Sequence, residues 1–136
     1  MHVKDLDGIL ALNMKEKDYS SITELGASKA MCSLENNKRR SVIEMTALLT
    51  VIRENLFETG KTNYNFEELV GQSFDLADPL LHETYLYDSG HTIKSAIWLL
   101  IASQDLRFEP NRSLTCTPEL KKELLQTLPG ELQNQL

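Results

Sequence analysis

The sequence predicts an all-α fold, a single compact domain of about five to six helices, on three observations. Capping residues stand ahead of apolar stretches spaced at three and four residues, and glycine or proline stands behind them. The chain has 136 residues, an ordinary size for one hydrophobic core. It is 41% hydrophobic and 25% charged, enough apolar surface to offset the entropy of ordering, with no internal repeat, Ser/Gly-rich linker or compositional shift to divide it.

The first helix is expected over about 22 to 35, with Ser21 and Glu24 as a capping box and Ile22, Leu25, Ala30, Met31 and Leu34 as its apolar positions. Gly26, Ala27, Ser28 and Ser33 are small enough to let another helix approach closely. The strongest period runs from Ser41 to about Glu58. Val42, Met45, Leu48, Leu49, Ile52 and Leu56 form a stripe that Ile43, Ala47 and Val51 widen, so this helix should be largely buried. Ser41 with Glu44 supplies its capping box, and Gly60 a left-handed stop.

Asn65 and Glu68 open a helix from Phe66 to Leu76, with Phe66, Leu69, Val70 and Phe74 inward. Asp78 as N-cap and Pro79 at the first turn predict a separate short helix from Pro79 to Tyr87, making a tight corner. Thr92 caps a further helix to about Gln104, where Ile93, Ala96, Ile97, Leu100 and Ile101 repeat and Trp98 and Leu99 add bulk on the flanks. Ile97 to Ile101 also has the length of a buried strand, but the longer period and the preceding Lys94-Ser95-Ala96 favour a helix. From Asp105 to Cys116, with Pro110, Asn111 and Ser113 and no clear period, a connecting loop is expected. Thr117-Pro118-Glu119 begins the last helix, carrying Leu120, Leu124, Leu125 and Leu128 to a stop at Pro129-Gly130, and residues 131–136 are expected to fray.

Several function classes are disfavoured. Asp5 and Asp7 sit where an export signal needs a basic and then an apolar region, and the longest apolar run, Ala96 to Ala102, is far short of the about 20 residues of a bilayer span; a cytoplasmic protein without membrane contact is expected. Cys32 and Cys116 are too far apart for a zinc knuckle and too few for a disulfide scaffold, and read as inert thiols, with a bond between them left open. A net charge of −6 suits a basic protein partner better than a nucleic acid, and Lys38-Arg39-Arg40, expected in a turn before the long helix, is the lone basic cluster.

Catalytic and cofactor motifs are absent. His82 and His91, with Glu83 and Asp88 between them, are nine residues apart across Gly90 and lack the four-residue spacing of a helical metal pair, so no metal or cofactor is expected. Asp88-Ser89-Gly90-His91 places the triad residue types in one turn without triad geometry. No Walker loop or dinucleotide fingerprint occurs.

Charge segregation is the informative feature. Between Glu54 and Asp88 eight acidic residues face one base, Lys61, for a net −7 over 35 residues, while the first forty residues hold seven bases and six acids. Six of the nine aromatic side chains lie in the same stretch. Acids among tyrosines compose a recognition surface, the field steering a basic partner and the rings supplying contact area. The expected function is accordingly a small acidic binding module, such as an inhibitor, antitoxin or immunity protein that covers a basic surface of a nucleic-acid-cleaving toxin. Its partner-binding residues are expected to be Glu67, Glu68, Asp75, Asp78, Glu83, Tyr85, Tyr87 and Asp88. The alternatives are a helical accessory subunit that self-associates, as a homodimer or within a larger complex, and a small enzyme using His82 or His91 with the neighbouring carboxylates. The sequence resembles no family closely enough to name one.

Overall fold

The computed structural model describes residues 19–30, 38–81 and 89–133. Within them the chain is mostly helical, with a small antiparallel sheet that the sequence did not predict. In chain order the elements are α1 (Tyr19–Ala30), α2 (Lys38–Thr59), β1 (Asn63–Asn65), α3 (Phe66–Leu81), α4 (Ser89–Ala102), β2 (Leu106–Phe108), β3 (Ser113–Cys116), α5 (Pro118–Gln126) and the single turn α6 (Gly130–Gln133).

Helix α2 is the centre. Every residue from Ile43 to Arg53 is buried, and α1, α3, α4 and α5 all pack against it. Its start differs from the expectation. The helix begins at Lys38, so Ser41 lies inside it and Glu44 is a buried interior residue. Lys38, Arg39 and Arg40 are therefore helical and not in a turn. Helix α1 likewise starts at Tyr19, ahead of the Ser21 expected to cap it. Gly60 does adopt the left-handed conformation, φ +69°, and stops α2 as its position requires.

Burial of α2 also imposes polar matching. Thr50 Oγ1 donates to Thr46 O at 2.7 Å within the helix. Arg53, with no exposed surface, sends Nη1 to Thr127 Oγ1 at 2.8 Å, tying the middle of the molecule to the end of α5.

Asn65 caps α3 as expected, its Oδ1 accepting from Glu68 N at 3.0 Å. The corner expected at Asp78-Pro79 does not form there. The backbone continues helically through both residues to Leu81, with Ala77 still in the core, so Pro79 falls in the last turn of α3 even though its ring supplies no N–H for an i→i−4 bond there. The rest of the expected Pro79–Tyr87 helix lies outside the described residues. Helix α5 follows the sequence closely: Thr117 Oγ1 accepts from Leu120 N and Pro118 occupies the first turn. Of the residues expected to fray, 131–133 join Gly130 in α6, where Gln133 Nε2 donates to Leu128 O at 2.7 Å.

The expected loop from Asp105 to Cys116 is a hairpin. Leu106 pairs with Cys116, Arg107 with Thr115 and Phe108 with Leu114, and β3 then pairs with β1 through Tyr64 and Leu114, giving the order β1-β3-β2. A three-residue loop, Pro110-Asn111-Arg112, closes the hairpin: Arg112 N donates to Glu109 O, and Arg112 itself takes φ +66°. Leu106, Leu114 and Cys116 alternate inward onto the core. Asn63 Nδ2 crosses the outer face to Ser113 Oγ and Thr115 Oγ1, both at 3.1 Å.

Two backbone sites yield predictions. A Cβ at Gly26 would lie 2.1 Å from Thr46 Oγ1 and 3.0 Å from Thr46 Cα, so α1 crosses α2 at glycine distance. Gly26→Ala should lower stability by about 1–3 kcal/mol in a denaturant melt, and by less in a Thr46→Ala background, because that background removes the nearer atom. At the end of α4, Asp105 N donates to Leu100 O and Gln104 N to Ile101 O, a Schellman motif in which Gln104 holds φ +67°. Gln104→Gly should raise stability by about 1 kcal/mol; an unchanged or lower melting temperature would show that the side chain offsets the backbone strain.

Candidate binding face

Phe66, at the start of α3, and Phe108, in β2, lie at opposite edges of the sheet, and Trp98 of α4 spans the gap between them. The Trp98 ring is stacked on Phe108, centroids 5.5 Å apart and planes 12° apart, and tilted against Phe66 at 5.9 Å. Helical geometry places Trp98 here: Ile93, Ala96, Ile97 and Leu100 form the buried arc of α4, and position 98 falls outside it. Trp98 remains 51% exposed and Phe108 39%, the large exposed hydrophobic side chains among the described residues. Three rings from three elements thus form one continuous row open to solvent on one side.

Of the expected partner-binding residues, Glu67, Glu68 and Asp75 are exposed on α3, immediately after Phe66 in the chain. Lys61 Nζ lies 3.7 Å from Glu68 Oε1, both groups well exposed, so the segment's one base partly offsets one of its acids. Asp78 is in the last turn of α3, its side chain not described; Glu83, Tyr85, Tyr87 and Asp88 lie outside the described residues, as does His82. His91 is in the first turn of α4, its side chain not described. Among the described residues no three His, Cys, Asp or Glu side chains converge on a metal-sized site.

Tyr64, one of the aromatics of the acidic stretch, is core: it is buried and its hydroxyl donates to Lys61 O at 2.5 Å. Burial, reinforced by Cys116, pushes its phenol pKa far up. The rings on the surface, Trp98 and Phe108, were not singled out from sequence as contacts. The readable signal was a tryptophan off the apolar arc of a helix, together with the alternation of Leu106 and Phe108 against Leu114 and Cys116 around Pro110-Asn111.

Beside the row lies an open cleft of about 670 Å³, with Ile101, Leu106 and Phe108 on its apolar side and Gln104, Asp105 and Glu119 among its polar groups. Asp105 is buried and heavily used. Its Oδ2 takes a hydrogen bond from Ser103 Oγ at 2.7 Å and an ion pair from Lys29 Nζ at 3.0 Å, and its carbonyl accepts from Thr117 N and Oγ1. Lys29 Nζ also reaches Glu123 Oε1 at 3.0 Å, so one ammonium joins α1, the end of α4 and α5. Arg107 Nε is held by Glu109 Oε1 at 2.7 Å, and that guanidinium keeps the Glu109 carboxyl below its usual range. Glu119 has no hydrogen-bond or ion-pair partner among the described residues. Cys116 is a free buried thiol. Burial, with Asp105 adding to it and Lys121 opposing, moves its pKa up to about 11, so it is not a nucleophile at neutral pH. Cys32 is outside the described residues. No described helix is long and apolar enough to cross a membrane.

Burial disfavours the charge on Lys29, but hydrogen bonds to Asp105 and Glu123 and their field outweigh it, so its pKa is raised from 10.5. Its contribution to stability is thus fully present below the unfolded value and is lost as pH rises through the folded one. Lys29→Met should lower the melting temperature by an amount that stays constant from about pH 7 to pH 9.5 and shrinks above about pH 10.5. A gap that held steady into strong alkali would contradict the assignment.

No protein-family model matches the chain, and no curated protein and no solved structure is detectably similar to it, so what the face binds has to be read from its own side chains.

Proposed function

We propose that this chain is a protein-binding module whose contact face is the row Phe66, Trp98 and Phe108, and that it covers a basic surface of another protein. An inhibitor, antitoxin or immunity protein occluding a nucleic-acid-cleaving toxin has this character. The observation that carries the reading is the half-exposed Trp98, the only tryptophan of the chain, held in a fixed orientation by rings on both sides. A rigid aromatic loses little conformational entropy on contact and offers a large apolar area, the properties of an interface anchor. The exposed carboxylates of Glu67, Glu68 and Asp75 supply the rim charge. Such charges act on the rate of encounter with a basic partner more than on the lifetime of the complex. Tyr85 and Tyr87, the anchors expected from sequence, lie outside the described residues, and Trp98 is the anchor proposed among the described ones.

Capture from native extract should return one stoichiometric basic protein, and the Trp98 emission should shift to the blue when that protein binds. Trp98→Ala should accelerate dissociation, costing about 2 kcal/mol or more if Trp98 is a hot spot, without lowering the melting temperature by a comparable amount. Replacing Glu67, Glu68 and Asp75 together by Gln, Gln and Asn should slow association and flatten its salt dependence. Binding unaffected by Trp98→Ala would remove the aromatic row as the contact face. Self-association alone, seen by sedimentation, would favour the accessory-subunit reading.

A further inference from the structure

Resting on the protein-binding reading, we propose that the cleft beside Phe108 receives a single basic side chain, a lysine or arginine, projected by the partner. Phe108 belongs to both features, so the cleft continues the aromatic face. Its apolar side, Ile101 and Phe108, suits the aliphatic stem of such a side chain, and the ring face of an aromatic attracts its cation.

Charge decides what enters. The carboxylates of Asp105 and Glu119 and the guanidinium of Arg107 line the cleft, with Glu109, Glu123, Lys29 and Lys121 nearby. Lys29 is divided between Asp105 and Glu123, and Arg107 is held by Glu109. The acid left uncommitted is Glu119, exposed at the head of α5 and lining the cleft. An incoming cation completes that pairing, whereas a carboxylate would meet a surplus of its own sign. The cleft is open along one side, unlike the enclosed pockets that bury most of a small ligand, which favours a side chain delivered on a larger surface.

Selection from a phage-displayed library of random peptides tests this. The wild-type chain should enrich peptides carrying Lys or Arg at one fixed position next to an apolar residue. Glu119→Gln should weaken the selected peptides about tenfold, or 1.4 kcal/mol, and Glu119→Lys should reverse the preference toward acidic peptides. Both variants alter an exposed side chain, and unchanged thermal melts verify that they are folded. Enriched peptides with no basic position, or a basic preference that survives Glu119→Gln and Glu119→Lys, would overturn the proposal. If Trp98→Ala abolishes peptide capture while the Glu119 variants do not change it, the aromatic face stands and the basic-side-chain site fails. Capture indifferent to Trp98→Ala as well as to Glu119 would overturn both.

Discussion

Eleven consecutive residues of α2, Ile43 to Arg53, are buried, and most of the structure answers to that constraint. A helix enclosed on all sides needs neighbours on every side, and α1, α3, α4 and α5 supply them. Some of its buried polar groups find partners within the fold, while Thr46 Oγ1 has none among the described residues. Thr50 turns back onto its own helix, and Arg53 reaches Thr127, so the C-terminal end of α5 is fixed by a group in the centre of the molecule. The close crossing at Gly26 and Thr46 belongs to the same requirement, since only a residue without a side chain lets α1 lie this near.

The three-stranded sheet closes one end of this helical assembly. It is too small to be stable alone, and its inward residues, Tyr64, Leu106, Leu114 and Cys116, are part of the same hydrophobic cluster as the helices. Lys29 and Asp105 secure the hairpin to α1 and to the end of α4. Because Asp105 also accepts from Thr117, which caps α5, one buried carboxylate residue fixes the start of β2 and the start of the last helix together. The aromatic row and the cleft therefore sit beside elements that these side chains tie together.

The acidic bias and the aromatic row are complementary in what they offer. Glu67, Glu68 and Asp75 set a field that extends over roughly a Debye length, about 8 Å at physiological salt, and is indifferent to the shape of what it attracts. Trp98 and Phe108 act only at contact, where shape decides.

Sequence by itself determined that the chain is mostly helical, and which residues of α2 and α4 face inward. Local chemistry sufficed for the cap at Asn65, the stop at Gly60 and the start of α5 at Thr117-Pro118, because each depends on residues within a few positions of one another. It determined the acidic field as well, since charge adds along the chain whatever the fold. Only the tertiary structure decided the rest. The helix α2 starts at Lys38, ahead of the capping pair that local sequence offers at Ser41 and Glu44. The strands Leu106–Phe108 and Ser113–Cys116 are too short to show a period, and β1 becomes a strand only through pairing with a segment some fifty residues away. Trp98 and Phe108 likewise became a face when the sheet brought β2 against α4. Residues 66, 98 and 108 are far apart in the chain, and only the fold brings their rings into one row.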